Sequence, residues 1–125
     1  MIGIHLLGEW FDCDDVPAFR LVQPLRDLCL DLTGAAGLCA VGDSFHQFHP
    51  CGVTGTVLLA ESHLAIHTWP ERRFASVDVF VCNYMADNTA KATFLFDRLR
   101  DVLRPQRVNE QVIRRGGADR VRIAA

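Results

Sequence analysis

The chain has 125 residues, of which 50% are hydrophobic and 22% are charged, and its formal net charge is −2. This balance is typical of one soluble globular domain, excludes a disordered tail, and does not support nucleic-acid binding. No apolar run approaches the ~20 residues that span a bilayer, and the first ten residues lack the features of a signal peptide. The five cysteines are an odd number without CxxC spacing, which indicates reduced thiols. We therefore expect a cytoplasmic protein that binds neither nucleic acid nor membrane.

The chain opens with a predicted strand and a predicted helix. Residues 2–11 alternate apolar and polar side chains, which indicates a half-buried strand. Apolar residues then follow helical spacing over 16–32, and Thr33-Gly34 supplies a stop signal. Short apolar runs separated by glycine, proline and polar residues predict strands over 38–48, 53–60, 63–69 and 75–82. Residues 89–103 return to helical spacing before Pro105, and a last strand is predicted over 108–113.

This order of elements predicts an α+β fold. We expect a two-layer sandwich in which an antiparallel β-sheet carries two helices packed on one face. The chain has no internal repeat, low-complexity tract or linker, so residues 1–125 are predicted to form a single domain. The functional groups must then come from this domain or from a symmetry mate.

Three residues with nucleophilic or acid–base chemistry lie at or near predicted strand ends. Ser62, His67 and Cys82 fall within 21 residues of one another. One interpretation is a hydrolase with Ser62 or Cys82 as nucleophile and His67 as its base, although the chain has no GxSxG elbow. Another is a non-catalytic module that binds a small molecule. The residues alone leave both interpretations open.

Metal binding is a further interpretation, with two candidate sets of ligands. One set is His46, His49 and Cys51, and the other is the pair His63 and His67, which would share one face of a strand. Neither set has a complete four-ligand spacing. We therefore predict no metal site.

The run GVTGTVLLAESHLAIHTWPE at residues 52–71, followed by ASVDVFVC at 75–82, resembles the bacterial and archaeal S-adenosylmethionine decarboxylase family. The opening GIHLLGEWFDC is similar to the first strand of that family. Members of the family convert a serine of their own chain into a pyruvoyl cofactor. The resemblance covers the centre of the chain from about residue 45 to residue 82 and lends no diagnostic motif to the C-terminal third.

The resemblance implies self-cleavage between Glu61 and Ser62 into residues 1–61 and 62–125. Ser62 attacks the carbonyl of Glu61, and elimination of the resulting ester leaves a dehydroalanine that hydrolyses to a pyruvoyl group with loss of ammonia. His67 matches the histidine that serves as base in this processing. Thr54 stands where the family usually has a serine whose hydroxyl assists the same step. No external cofactor is expected.

The resemblance also implies the roles of the residues that act on substrate. The pyruvoyl carbonyl would form a Schiff base with the substrate amino group, and Cys82 matches the acid that returns a proton after carbon dioxide leaves. Phe48 matches a residue that stacks on adenine, and Glu71 matches a carboxylate that accepts hydrogen bonds from the ribose. Trp69 is expected to line the same pocket. The implied product is the aminopropyl donor for spermidine and other polyamines.

The chain departs from the family pattern near the expected pocket. Arg72 and Arg73 replace the common Tyr-Gly, and His49 and Cys51 replace residues of FSPQG. Two added positive charges would disfavour a cationic substrate if they faced the pocket. Arginine or ornithine decarboxylation on the same scaffold, or an unprocessed binding module, are therefore the alternatives.

The resemblance finally implies a homodimer of processed protomers with shared active sites. Ser62 and Cys82 of one chain would meet residues of the other chain at each site. Those residues are Phe48, Thr54, His67 and Glu71.

Overall fold

Strands and helices alternate along the part of the chain that the computed structural model describes, residues 2–117 and 121–124. The strands are β1 Gly3–Phe11, β2 Ala40–Gln47, β3 Val53–Leu59, β4 Ser62–Trp69, β5 Phe74–Cys82 and β6 Arg107–Arg115. The α-helices are α1 Pro17–Arg20, α2 Val22–Ala35 and α3 Thr89–Leu103, and a 3-10 turn covers Pro70–Arg72. The predicted helix over 89–103 is confirmed without change. The last strand extends beyond the predicted 108–113 at both ends.

The strands form one antiparallel sheet in the order β2-β3-β4-β5-β1-β6. The first strand of the chain therefore lies between β5 and β6. Its pairing with β5 sets Leu6 beside Val79 and Trp10 beside Ala75. Alternation along these strands turns the apolar members of each pair towards the helices, because successive side chains of a strand point to opposite faces.

The helices cover one face of this sheet. The core joins side chains from the central strands with side chains from the helices, including Leu64, Ile66, Val77, Val79, Leu25, Leu95 and Leu99. The predicted α+β sandwich is confirmed. In the described part of the chain no helix covers the opposite face, which we call the outer face. Its central strands present His5, Thr54, His63, His67, Trp69 and Asp78.

The predicted helix over 16–32 is wrong in one respect, because it is two helices. Leu21 is extended, with φ −124° and ψ 143°, and it separates α1 from α2. The side chain of Gln47 satisfies the backbone at this break: its amide nitrogen donates to the carbonyl of Arg20 at 2.9 Å, and its oxygen accepts from the N–H of Val22 at 2.8 Å. A tertiary contact from β2 therefore sets a boundary that helical periodicity does not reveal.

The end of α2 also lies beyond the predicted stop. Gly34 is inside the helix, and Gly37, with φ +81°, takes the left-handed conformation that ends it. The N–H of Gly37 donates to the carbonyl of Gly34, and the N–H of Leu38 donates to that of Thr33. This pair of bonds is the Schellman motif, which uses a glycine just past the last helical turn. None of the helices in residues 2–117 and 121–124 is long and apolar enough to cross a membrane.

Trp10 ties β1 to β6 and to α3. Its ring is fully buried and meets the ring of Phe96 edge-on, with centroids 5.2 Å apart. Its Nε1 donates to Glu110 at 2.9 Å, and Glu110 also accepts from Arg100 at 2.7 Å. A Cβ at Gly8 would lie 2.7 Å from Nε1 of Trp10 and 2.8 Å from the Phe96 ring. Any side chain at position 8 must therefore displace this cluster.

We predict that Gly8→Ala lowers the free energy of unfolding by about 1–3 kcal/mol, the usual cost of forcing extra volume into a packed core. The matched control is Gly34→Ala in α2, where a Cβ meets no atom within 4 Å. This control should gain about 0.5–1 kcal/mol, because alanine is the better helix former. Urea unfolding in a Ser62→Ala background, at equal protein concentration, measures both. Equal stability of the two variants would contradict the packing at Gly8.

Candidate active site

The β3–β4 hairpin carries the residues on which the candidate site depends. Leu59 pairs with Ser62, so the turn consists of Ala60 and Glu61 alone. Glu61 is exposed in this turn, and Ser62 is the first residue of β4. The bond between Glu61 and Ser62 therefore lies where the turn enters the strand, at one end of the sheet.

Ser62 and Cys82 are neighbours at this end of the sheet. The N–H of Cys82 donates to Oγ of Ser62 at 3.0 Å. The carbonyl of Cys82 accepts from Nδ2 of Asn88 at 2.9 Å, and the N–H of Asn88 donates to Oδ1 of Asn83 at 2.8 Å. The Cys82 residue is only 5% exposed. We call Ser62 and Cys82, with the asparagines that fix the backbone of Cys82, the serine end.

Thr54 and His67 meet near the other end of the same hairpin. They are paired residues of β3 and β4, and Oγ1 of Thr54 is 3.0 Å from Nδ1 of His67. Beyond His67, an aromatic row continues across the outer face: the ring of Trp69 is 6.0 Å from that of His67 and 5.3 Å from that of Phe74. The orientation of the His67 ring is therefore restricted by a hydroxyl on one side and an indole on the other.

A cavity of about 570 Å³ opens beside this pair. Its lining includes the predicted residues Phe48, Thr54, Trp69 and Glu71, together with Arg20 and Cys51. Phe48 and Trp69 are 48% and 38% exposed, so each presents aromatic surface that the fold does not use. The volume falls in the range of small-molecule sites, about 300–1,000 Å³. We call Phe48, Thr54, His67, Trp69 and Glu71 the cavity end.

The two ends are far apart within one chain. Ser62 and His67 are five residues apart on β4, which corresponds to roughly 17 Å along an extended strand. The structure therefore brings Ser62 together with Cys82, and brings His67 together with Thr54, but does not bring the serine to the histidine. This separation argues against a serine–histidine or cysteine–histidine hydrolase dyad within one chain, because such a dyad requires direct hydrogen bonding.

Comparison with known proteins shows the family of the chain. The family described as S-adenosylmethionine decarboxylase matches residues 4–116 of the chain. The chain belongs to the S-adenosylmethionine decarboxylase family. The resemblance inferred from the central motifs is thus confirmed, and it extends into the C-terminal third, where the sequence offered no diagnostic motif.

Individual members of the S-adenosylmethionine decarboxylase family are similar over most of their length. A protein of Persephonella marina named S-adenosylmethionine decarboxylase proenzyme is 37% identical over 115 residues, which cover 92% of this chain and 83% of the relative. The proenzyme of Aquifex aeolicus is 38% identical over 115 residues, covering 92% and 82%.

A solved member of the family has the same fold. The crystal structure of the adenosylmethionine decarboxylase from Aquifex aeolicus superposes with a TM-score of 0.83 at 34% identity and covers 98% of both chains. None of these matches supports the arginine, ornithine or binding-module alternatives.

Two departures from the S-adenosylmethionine decarboxylase pattern, Arg72 and Arg73, do not line the cavity, whereas the other two, His49 and Cys51, do. Arg73 has φ +50°, caps the 3-10 turn, and its Nε donates to the carbonyl of Cys13 at 2.9 Å. Its side chain therefore stabilises the start of β5. The two arginines give no reason to assign a substrate other than that of the family.

Arg20 is the cation that lines the cavity, and sequence reasoning missed it. Its Nη2 donates to Oδ2 of Asp15 at 2.8 Å, and its Nε donates to the other carboxylate oxygen. Hydrogen bonding to Arg20 lowers the pKa of the Asp15 carboxyl from its ordinary value, so Asp15 stays charged at neutral pH. Asp15 and Arg20 lie on either side of Pro17, and no periodicity connects them. Only the fold shows that Arg20, at the end of α1, reaches the pocket.

The two metal-ligand sets considered from the sequence do not form clusters. Within the described ranges, the one group of three potential ligands that converge is His5, His63 and Asp78. His46, His49 and Cys51 lie near the cavity but do not form such a group. His63 shares a strand face with His67, yet its close neighbours are on β5 and β1.

Proposed function

We propose that the chain is a self-processing, pyruvoyl-dependent decarboxylase of S-adenosylmethionine that supplies the aminopropyl donor for polyamine synthesis. The observation that carries this proposal is the division of the β3–β4 hairpin into a serine end and a cavity end. The serine end holds a nucleophile, Ser62, next to an exposed turn. The cavity end holds a base, His67, beside a pocket with aromatic and acidic groups. Family membership, and the name proenzyme carried by the relatives, support the same function.

Ser62 is suited to attack the preceding peptide bond. Its Oγ accepts a hydrogen bond from Cys82, so its own proton is not needed for that bond and can pass to a base. Attack on the Glu61 carbonyl replaces the amide with an ester and frees the Ser62 nitrogen. Loss of the Ser62 α-proton then expels the Glu61 carboxylate and leaves a carbon–carbon double bond. Tautomerisation and hydrolysis release ammonia, and residue 62 becomes the blocked start of 62–125.

His67 and Thr54 are assigned to proton transfer in this processing. If Nδ1–H of His67 donates to Thr54, Nε2 keeps a lone pair with which to accept a proton. Histidine is suited to the task because its ordinary pKa lies near neutrality. Threonine retains the hydroxyl that the family usually supplies as serine, and this hydroxyl makes the contact with His67.

The surroundings of residue 62 fit a pyruvoyl group. The Cys82 N–H that contacts Oγ of Ser62 remains there as a donor after the hydroxyl is lost, and the buried Cys82 thiol lies on the adjacent strand. The pyruvoyl group supplies the electron sink for decarboxylation. Cys82 is assigned to return a proton to the carbon that loses carbon dioxide. The hydrogen bonds of Asn88 and Asn83 fix the main chain of this acid.

The cavity end is assigned to substrate binding. The exposed part of the Phe48 ring suits stacking on a purine, and a T-shaped contact with His46, with ring centroids 4.7 Å apart, supports the ring. Glu71 lines the cavity and suits the two hydroxyls of a ribose, since a carboxylate can accept two hydrogen bonds. Trp69 suits the sulfonium, because an indole face attracts a cation.

A second copy of the chain completes each site in this proposal. The two ends of the hairpin are roughly 17 Å apart, so one chain cannot carry a proton from Ser62 to His67. A two-fold axis perpendicular to β4 reverses the strand in the partner and sets the serine end of one chain beside the cavity end of the other. The uncovered outer face offers the surface for this contact.

We further propose a cytoplasmic location, with which the five free cysteines agree.

Processing provides the first test of this function. Ser62→Ala should remain one chain of 14.0 kDa, because it lacks the nucleophile, whereas the wild type should give two fragments by intact mass. Thr54→Val should slow cleavage by about tenfold, the effect of losing one hydrogen bond. Thr56→Val is the matched control: Thr56 is on the same face of β3, and its hydroxyl donates to the Leu64 carbonyl at 3.1 Å. A cleaved Ser62→Ala chain would contradict the proposal.

Complementation tests the shared site. Cys82→Ala removes the acid of the serine end and should lower turnover by ~10²-fold or more. Glu71→Ala removes a carboxylate of the cavity end. Co-expression should restore activity, because one site of each heterodimer then carries both lesions and the other carries neither. If heterodimers are present by native mass measurement and no activity returns, each site belongs to one chain.

The Asp15–Arg20 pair predicts how charge affects substrate binding. Asp15→Asn leaves the Arg20 charge unpaired at the cavity and should raise KM for the cationic substrate by up to about tenfold, with kcat unchanged. Arg20→Gln in the same chain should reverse the effect. Since the pKa of Asp15 is lowered, the wild-type pair should persist at neutral pH and be lost only as the pH falls through that lowered pKa. An equal loss of affinity for the demethylated, uncharged thioether analogue would refute the electrostatic explanation.

A further inference from the structure

Two imidazoles and one carboxylate converge on the outer face, and the proposed reaction does not use them. His5 of β1, His63 of β4 and Asp78 of β5 each offer one ligand atom, and these atoms lie within 4.8 Å of one another. Strand register explains their meeting. His5 and His63 both pair with Phe80, one from each side of β5, and Asp78 is two residues from Phe80 on the same face.

Two of the three ligand-atom distances in this cluster match a tetrahedral metal site, and the third is within 4.8 Å. Nε2 of His63 is 3.2 Å from Oδ1 of Asp78, and Nε2 of His5 is 3.6 Å from the same oxygen. Zinc bound at ~2.0–2.1 Å in a tetrahedron holds its ligand atoms ~3.3–3.4 Å apart, whereas an octahedron with the same bonds holds adjacent atoms ~2.9–3.0 Å apart. The observed pair of distances brackets the tetrahedral value, and both exceed the octahedral one.

Two atoms of the cluster have no partner that would satisfy them. Nε2 of His5 and Oδ1 of Asp78 are buried, and neither makes a hydrogen bond among residues 2–117 and 121–124, because the 3.2 Å contact of His63 with Oδ1 of Asp78 is not aligned as one. Buried polar atoms are otherwise almost always paired. A shared proton cannot satisfy both, because 3.6 Å is too long for a hydrogen bond. A cation between them satisfies each with one bond.

Arg115 also contacts the cluster. Its Nη1 is 3.4 Å from Nδ1 of His5, and its guanidinium lies over the Phe80 ring at 4.4 Å. Metal binding at Nε2 leaves the imidazole proton on Nδ1, so the long contact from Arg115 must be given up. Arg115 is on the exposed edge strand β6 and can keep its place over Phe80 while the His5 proton points to solvent.

We propose that His5, His63 and Asp78 bind a divalent transition metal, with zinc favoured by the tetrahedral spacing and by the two imidazole ligands. Water or another donor takes the fourth position. The bound ion links His63, which follows Ser62 in the sequence, to β5 and β1. The sequence-based prediction of no metal site considered ligands that are close in sequence, whereas these three come from three strands.

The test measures zinc binding by the purified protein. Cys39 is exposed and Cys51 half-buried, so both are first replaced by serine to remove competing thiols. After chelator treatment, titration with Zn²⁺ alone should show one ion per chain, and Co²⁺ should give the intense visible absorption of a tetrahedral site. His63→Gln, His5→Gln and Asp78→Asn should each weaken binding by more than the ~10–100-fold that loss of an outer-shell partner causes. Zinc should also raise the unfolding temperature by several degrees.

His46→Gln is the matched control, because it removes an imidazole from the same sheet face without touching the cluster. It should bind zinc as the parent does. Circular dichroism establishes that each variant is folded, and the three separate ligand variants keep the test valid if one of them is not. Absence of stoichiometric binding in the parent overturns the proposal. Equal binding by folded ligand variants and by His46→Gln also overturns it.

Discussion

The pairing of β3 with β4 determines where Thr54, Ser62 and His67 of the candidate site lie. The two-residue turn at Ala60 and Glu61 sets this register, and the buried hydroxyl of Thr68 reinforces it by accepting from the N–H of Val53 at 2.9 Å. A slip by one residue would turn His67 towards the core and break its contact with Thr54. The same slip would move Ser62 away from Cys82. Chemistry and folding thus depend on one hairpin.

The one-sided sheet is the second constraint. The helices and strands together bury Trp10, Leu64, Ile66 and many other apolar side chains on one face, so the hydrophobic core is complete there. The outer face instead carries half-buried histidines, threonines and an aspartate, together with the exposed Trp69. This mixture of side chains supplies the candidate site and a separate cluster of potential ligands.

Sequence reasoning predicted the sheet, the long helices and the candidate residues because each has a local signal. Alternation marks the strands, helical spacing marks α3, and the ESHLAIHTWPE run marks the site. It failed where a distant contact decides the outcome. Gln47 breaks the first helix at Leu21, and Gly37 rather than Gly34 ends α2. Arg20 lines the cavity although nothing near it in the sequence indicates this. Sequence reasoning considered His63 only with His67, and it missed the cluster of His63 with His5 and Asp78 because three strands are needed to bring these residues together.

The position of β1 bears on how the protein folds. A cut between Glu61 and Ser62 assigns β1, β2 and β3 to one piece and β4, β5 and β6 to the other, yet β1 lies between β5 and β6. The pieces are therefore interleaved, and three strand pairings across the cut keep them associated without a covalent bond. An uncut chain reaches this arrangement in a unimolecular reaction, whereas separated pieces must first meet. Refolding of a cut protein thus becomes concentration-dependent, and we therefore expect the proposed cleavage to follow folding.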